Sequence, residues 1–319
     1  MANNPMAFRK IKSRRPTWQL VSFAALIAGT LAVVVAALIM VQPAVSDETV
    51  PPPSYDLAGS HPRTTGTPEP TAADEPSAAP TRTIVAISDV GAWRSLIGAC
   101  PSGPVTPEYT VDGGASWKPS TSTGPLGISS VLRLARGDGG SVDMVGQAPA
   151  ACAPQTLTTN ARKDRWAPST EAVQAWYVVP GTPSTINTPA GIRPTPCAAV
   201  IDVEPGVGEH AAVLCDNQRF FRSSDGGATW DGGIFVAGSR TFAPSADGYL
   251  VAATGQPECE GVQLRVVYPK TAPRDGAPLG CKVTKADTTE VALSVIGESV
   301  WLWVGDEIAV TSDRGITWR

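Results

Sequence analysis

Residues 311–318 read Thr311-Ser312-Asp313-Arg314-Gly315-Ile316-Thr317-Trp318, and the same eight-residue pattern occurs twice earlier in the chain. Residues 223–230 are Ser223-Ser224-Asp225-Gly226-Gly227-Ala228-Thr229-Trp230, and residues 110–117 are Thr110-Val111-Asp112-Gly113-Gly114-Ala115-Ser116-Trp117. The shared order is hydroxyl-x-Asp-x-Gly-x-hydroxyl-Trp. Asp112, Asp225 and Asp313 are turn residues that accept backbone N–H bonds. Gly114, Gly227 and Gly315 supply positive φ without steric cost. The flanking hydroxyls can bond locally to the same backbone. Trp117, Trp230 and Trp318 then return the chain to an apolar face. A strand-like run precedes each copy, so each reads as the corner of a β-hairpin closed by an aromatic plug.

This pattern resembles the Asp-box, also called the bacterial neuraminidase repeat, and the resemblance runs from about residue 84 to residue 319 through these short motifs. It implies a β-propeller in which the box joins the third and fourth strands of a blade. The box then sits at the periphery, away from the ligand face, and its role is structural. The superfamily includes sialidases, sortilin-like receptors, glucanases and non-enzymatic assembly factors, so the fold does not select a function.

Unit boundaries follow from the tryptophans. A first unit covers 84–117. A second covers 128–166 and ends in a decayed box at 159–166 that keeps Trp166 but has lost the Asp and the Gly. A third runs from 172 to 230 and contains residues 180–196 as an inserted Pro-rich loop. A fourth covers 234–279, with Arg274-Asp275-Gly276 as the trace of a box, and a fifth covers 282–318. The expected architecture is all-β, a propeller of about five four-stranded blades, with four or six as alternatives. The fifth unit stops at its box, so ring closure is expected from residues just before Ile84, or the ring stays open there.

Composition places this domain outside the membrane. The chain has 319 residues, of which 42% are hydrophobic, with 31 Gly and 30 Pro. That suits short strands and turns more than helices. Residues 1–19 hold Arg9, Lys10, Lys12, Arg14 and Arg15 and no acid. The formal charge is −4, so these five leave −9 on the remainder, which argues against nucleic acid as a partner. Residues 20–41 carry no charge and are long enough for a membrane-spanning helix, with Trp18 at the inner interface. The competing reading is a cleaved signal ending near Ala44-Val45-Ser46. The basic tail stays cytoplasmic, and residues 42–83, rich in Pro, Thr and Ala, form a disordered stalk that contains His61.

Cys100, Cys152, Cys197, Cys215, Cys259 and Cys281 all lie beyond the apolar stretch, an even number suited to disulfides in an oxidising compartment. Locality pairs Cys197 with Cys215 and Cys259 with Cys281, leaving Cys100 with Cys152. No metal site or cofactor is expected, because Cys-x-x-Cys is missing and the domain has one histidine, His210, beside Glu209.

For catalysis, a glycosidase needs two carboxylates at a set separation. Asp89, Asp202, Glu204, Asp247 and Asp306 are the candidates. Sialidases use three arginines and an early Arg-Ile-Pro motif. Phe221-Arg222-Ser223 is the nearest match, but it leads into a box and lacks the Ile-Pro. Trp301-Leu302-Trp303 puts two indoles on one strand face, as a sugar platform or as blade packing. Arg136-Gly137-Asp138 reads as a turn. The expected function is a non-catalytic, membrane-anchored module that binds an envelope protein or a glycan through the face carrying residues 180–196. A sialidase-like hydrolase and a structural assembly factor are the alternatives.

Overall fold

The computed structural model of the chain describes residues 77–160, 163–169, 175–270, 272 and 274–319. The expected cytoplasmic tail, the span at 20–41 and the stalk as far as residue 76 lie outside the described residues. The folded part begins ahead of residue 84. Ser77 N–H donates to Asp216 O at 2.6 Å and its hydroxyl to Ser239 O at 2.9 Å, and the first strand starts at Arg82.

Six antiparallel sheets follow one another in chain order. The first is β1 (Arg82–Ala86), β2 (Ala92–Leu96), β3 (Glu108–Thr110) and β4 (Lys118–Pro119). The second is β5 (Ser130–Arg136), β6 (Ser141–Gln147), β7 (Pro154–Asn160) and β8 (Ala167–Pro168). The third has three strands, β9 (Tyr177–Val178), β10 (Thr185–Thr188) and β11 (Gly191–Pro194). The fourth is β12 (Val200–Pro205), β13 (Ala211–Cys215), β14 (Arg219–Ser223) and β15 (Ile234–Phe235). The fifth is β16 (Ser239–Ser245), β17 (Gly248–Gln256), β18 (Cys259–Val267) and β19 (Ala277–Val283). The sixth has three strands, β20 (Val291–Ile296), β21 (Ser299–Val304) and β22 (Glu307–Thr311). Their first strands touch cyclically: β1 meets β5, β5 meets β9, β9 meets β12, β12 meets β16, β16 meets β20, and β20 returns to β1. Sheets arranged radially in this way make a β-propeller.

The propeller has six blades, which corrects the expectation of five. The expected third unit, 172–230, holds two sheets. Residues 180–196 are no inserted loop, since they contain β10 and β11. Pro180, Pro183, Pro189, Pro194 and Pro196 hid them. Prolines are tolerated here because β11 is an edge strand and the others fall in turns or at strand ends.

Both faces of each sheet are covered, so the inner strands are apolar almost throughout. Val291–Ile296 and Ser299–Val304 bury nearly every residue. Each core lies between neighbouring blades: Trp93 with Met144 and Leu157, Ile186 with Val213, Phe220 with Phe242, and Leu264 with Leu302. The sixth blade closes on the first by packing. Trp301, Trp303 and Val310 meet Ile84, Ala86 and Ala92. Arg82 pairs with Glu290 and donates to Gly305 O. At the rim, Arg319 and Val310 exchange two backbone bonds of 3.0 Å.

The three octapeptides share one hydrogen-bond plan. In residues 223–230, the Ser223 hydroxyl donates to Asp225 Oδ1 at 2.8 Å and accepts from Gly227 N at 2.9 Å. Asp225 then accepts from Thr229 N at 2.8 Å and from the Thr229 hydroxyl at 2.6 Å. Thr110, Asp112, Gly114 and Ser116 repeat the scheme, as do Thr311, Asp313, Gly315 and Thr317. The corners follow β3, β14 and β22. Trp117, Trp230 and Trp318 are half-buried against the cores shared with the preceding blade. The conserved spacing of glycine within the repeat has a packing reason besides its φ. A Cβ on Gly315 would stand 3.0 Å from Leu264 of the preceding blade, at φ +87°. The decayed corner at 159–166 retains the hydroxyl role, with Arg165 N donating to Thr159 Oγ1 at 3.1 Å.

These bonds hold Asp112, Asp225 and Asp313 at a pKa of about 2, below the usual 3.8. The Ser116 and Thr229 hydroxyls act first on Asp112 and Asp225, and the Thr311 hydroxyl acts first on Asp313. A depressed carboxylate stabilises the fold above its unfolded pKa and stops doing so as pH falls through its folded pKa. The melting midpoint should therefore fall between about pH 4 and pH 2. A triple Asp→Asn variant at 112, 225 and 313 should melt lower at pH 6 and fall less across that window. An unchanged slope, read by circular dichroism, would reject this account.

Candidate functional site

Blades bring their inner strands to a common axis, so a catalytic constellation would be found there. The axis holds a cavity of about 200 Å³. Asp202 and Glu204 alternate on β12 and therefore share a strand face, roughly 7 Å apart along the strand. Both are committed to other blades. Asp202 Oδ2 accepts from the Thr241 hydroxyl at 2.7 Å and from Phe242 N at 3.0 Å, which ties β12 to β16. Glu204 Oε2 accepts from Arg133 Nη2 at 2.6 Å, and Arg133 also donates to Val203 O. Arg133 lies on β5, so this pair joins the second blade to the fourth, past the three-stranded third. A register shift between Val131 and Arg133 aims the side chain there. Arg136, three residues on, donates to Ala86 O at 3.2 Å and Val295 O at 2.8 Å, linking the second blade to the first and sixth.

Burial pushes the Glu204 carboxyl up to about 7, against the pull of Arg133, and raises Asp202 against its hydrogen bond from Thr241. A raised carboxylate favours the fold while protonated and loses that contribution as pH rises to the folded pKa. Stability should therefore decline between about pH 4.5 and pH 7, by at most about 3 kcal/mol from Glu204. Glu204→Gln should flatten that slope. A slope equal to that of the parent chain would show that Glu204 is ionised in both states.

Ala79 and Pro80 form part of the cavity wall, and its volume lies below the roughly 300 Å³ of small ligand sites. The other carboxylates do not converge on it. Asp89 is exposed between β1 and β2. Asp247 is exposed between β16 and β17, where it pairs with Arg314 at 3.0 Å. Asp306 is exposed between β21 and β22. Arg222 is buried and bound to Asp231 at 2.6 Å and Asp275 at 2.9 Å. Asp275 also accepts from Tyr268 N and Ala272 N, so residues 274–276 organise the β18–β19 corner with a different bond plan from a box. Trp301 and Trp303 are blade packing. Trp301 is fully buried and donates to Ser88 O at 3.0 Å, and the Arg82 guanidinium lies 4.5 Å from the Trp303 ring.

The cysteines form three disulfides: Cys100–Cys152 between the first two blades, Cys197–Cys215 at the fourth, and Cys259–Cys281 within the fifth. Among the described residues no group of three or more His, Cys, Asp or Glu could hold a metal ion. Sequence reasoning missed Arg133. Its one signal was a cation inside the apolar run Val131-Leu132-Arg133-Leu134.

No family model and no curated protein matches the chain. Among solved structures it is similar to YCF48 bound to D1 peptide, with 19% identity over 77% of this chain and 69% of that one, at a TM-score of 0.28. It is similar to YCF48 from Cyanidioschyzon merolae, with 13% identity over 77% and 85% of the two chains, at a TM-score of 0.37. It is also similar to the WD40 β-propeller domain of Doa1, with 9% identity over 76% and 99%, at a TM-score of 0.39.

Proposed function

We propose that the chain is a membrane-anchored, extracytoplasmic propeller that acts as a non-catalytic binding or scaffold module for an envelope protein or glycan. The observation that carries this reading is the use of the axial charges. Arg133, Glu204, Asp202 and Arg136 hold blades to one another, so no acid–base pair is left for a sugar. Three disulfides support an oxidising compartment. The uncharged residues 20–41, behind a basic tail, support an anchor with the N-terminus inside.

A protein partner is favoured by exposed apolar side chains at one end of the propeller. Val207 is 90% exposed, Ile316 77%, Val111 55% and Val90 39%. The first and third connections of an up-and-down sheet fall at one end. Gly226 N bonds Glu209 O and Gly113 N bonds Val90 O, which brings those loops to the box corners. This end carries the octapeptide corners, which the resemblance puts away from the ligand face, and it replaces the face of residues 180–196 as the docking region because residues 185–188 and 191–194 are strands of a sheet. A photo-crosslinking residue at Val207 of the full chain in its membrane should give a discrete adduct with one envelope component. The same residue at Val283, on the outer strand β19, should give none. Turnover of a chromogenic glycoside by the full chain, abolished in Glu204→Gln, would establish the hydrolase reading instead.

A further inference from the structure

A second hollow shares only Arg136 and its acceptor Val295 with the ties between blades described above. It encloses about 630 Å³ where the β12–β13, β16–β17 and β20–β21 turns meet, a volume within the range of small-molecule sites. Pro205, Val207, Pro244 and Pro269 give it apolar walls. Arg136, Tyr249 and His210 also line it.

The tyrosine is built into place. Tyr249 is only 3% exposed, and its ring is wedged against Phe220 and Phe242 at centroid distances of 5.4 and 5.7 Å. Its hydroxyl has no hydrogen-bond partner among the described residues. The oxygen opens into the hollow, whose lining it joins. The hydroxyl stands beside Gly206, where a Cβ would come within 2.9 Å of its oxygen. Glycine at 206 therefore leaves room next to the hydroxyl that any other residue would take. Arg136 spends Nη1 on two carbonyl oxygens, while Nε and Nη2 have no partner among the described residues. The His210 imidazole likewise bonds no described residue.

We propose that this hollow binds a small organic carboxylate with an apolar body. The Arg136 guanidinium and the Tyr249 hydroxyl hold the carboxylate, with His210 as a third polar neighbour, and the apolar body lies on the proline walls. An arginine and hydroxyl donors match the acceptor-only oxygens of a carboxylate. The charge of Glu204 reaches both Arg136 and Tyr249, and at Arg136 the charge of Arg133 opposes it. Glu204 is bound by Arg133 and Asp247 by Arg314. Glu209 and Glu298 lie in the β12–β13 and β20–β21 turns beside the hollow, and both are exposed. The site stands whether or not the macromolecular partner proposed above exists.

The test uses two probes of the same shape, N-acetyl-leucine and N-acetyl-leucinamide, titrated into the purified full chain by calorimetry. The acid should bind at least tenfold more tightly than the amide. Tyr249→Phe keeps the ring and its packing, so its melting midpoint should stay in place while acid binding weakens about tenfold. Gly206→Val should occupy the space beside the Tyr249 hydroxyl and remove binding of the acid. Equal affinity for acid and amide, no saturable binding of the acid, or unchanged binding in Tyr249→Phe would each overturn the proposal.

Discussion

Replacing Arg222 with alanine should lower the melting midpoint of the domain by about 10 °C, the largest loss expected from a single charged residue. The Arg222 side chain is 4% exposed and reaches two acids on different blades. Asp231 is 27% exposed, so that pair is partly screened and contributes less. Asp275 is 6% exposed, and without Arg222 it becomes a buried anion with no cation. Orphaning one partner of a buried pair costs about 3–5 kcal/mol. In a domain of this size each kcal/mol moves the midpoint by about 2–4 °C. The double variant Arg222→Ala/Asp275→Asn should recover part of the loss, since the stranded charge is gone. If the single variant melts within about 2 °C of the parent, the pair is not holding the fourth blade to the fifth.

Trp301→Ala should cost a similar amount, about 3–5 kcal/mol, by a different route. The indole is fully buried at the junction of the sixth and first blades and donates to Ser88 O. It also supports the first box, because a Cβ on Gly114 would stand 3.5 Å from its ring. Truncation leaves a cavity where the ring of blades closes without a shared strand. The loss should therefore be local. Hydrogen exchange should rise in β1 and β22 well before it rises in β17 and β18. A uniform rise through all six blades would mean that the junction is no weaker than the others.

How much of this was readable in the chain depends on the range of the forces involved. Each box is closed by bonds between residues two and four positions apart, from Thr311 to Asp313 and from Asp313 to Thr317. Such contacts form wherever the eight residues occur, so three corners and their plugs could be placed from composition alone. Two disulfides were similarly legible from separations of 18 and 22 residues, and the third, spanning 52, followed as the pair left over. The third blade was not legible. Its strands are short, its prolines read as loop, and it has no box tryptophan to mark its end.

The candidate site divides along the same line. Residue type marked Asp202 and Glu204 as candidate carboxylates, and their shared strand face followed once β12 was in place. Their chemistry was settled elsewhere. Arg133 approaches Glu204 from 71 positions away, and Thr241 approaches Asp202 from 39. The sequence by itself determined the three corner motifs, which rest on local backbone preference, the all-β propeller that their resemblance to a known repeat implies, the cysteine pairs and the acidic balance of residues 20–319. The tertiary structure alone decided the count of six, the closure through Trp301, and the conversion of axial charges into ties between blades. Those outcomes depend on which distant side chains meet once the sheets are packed around an axis.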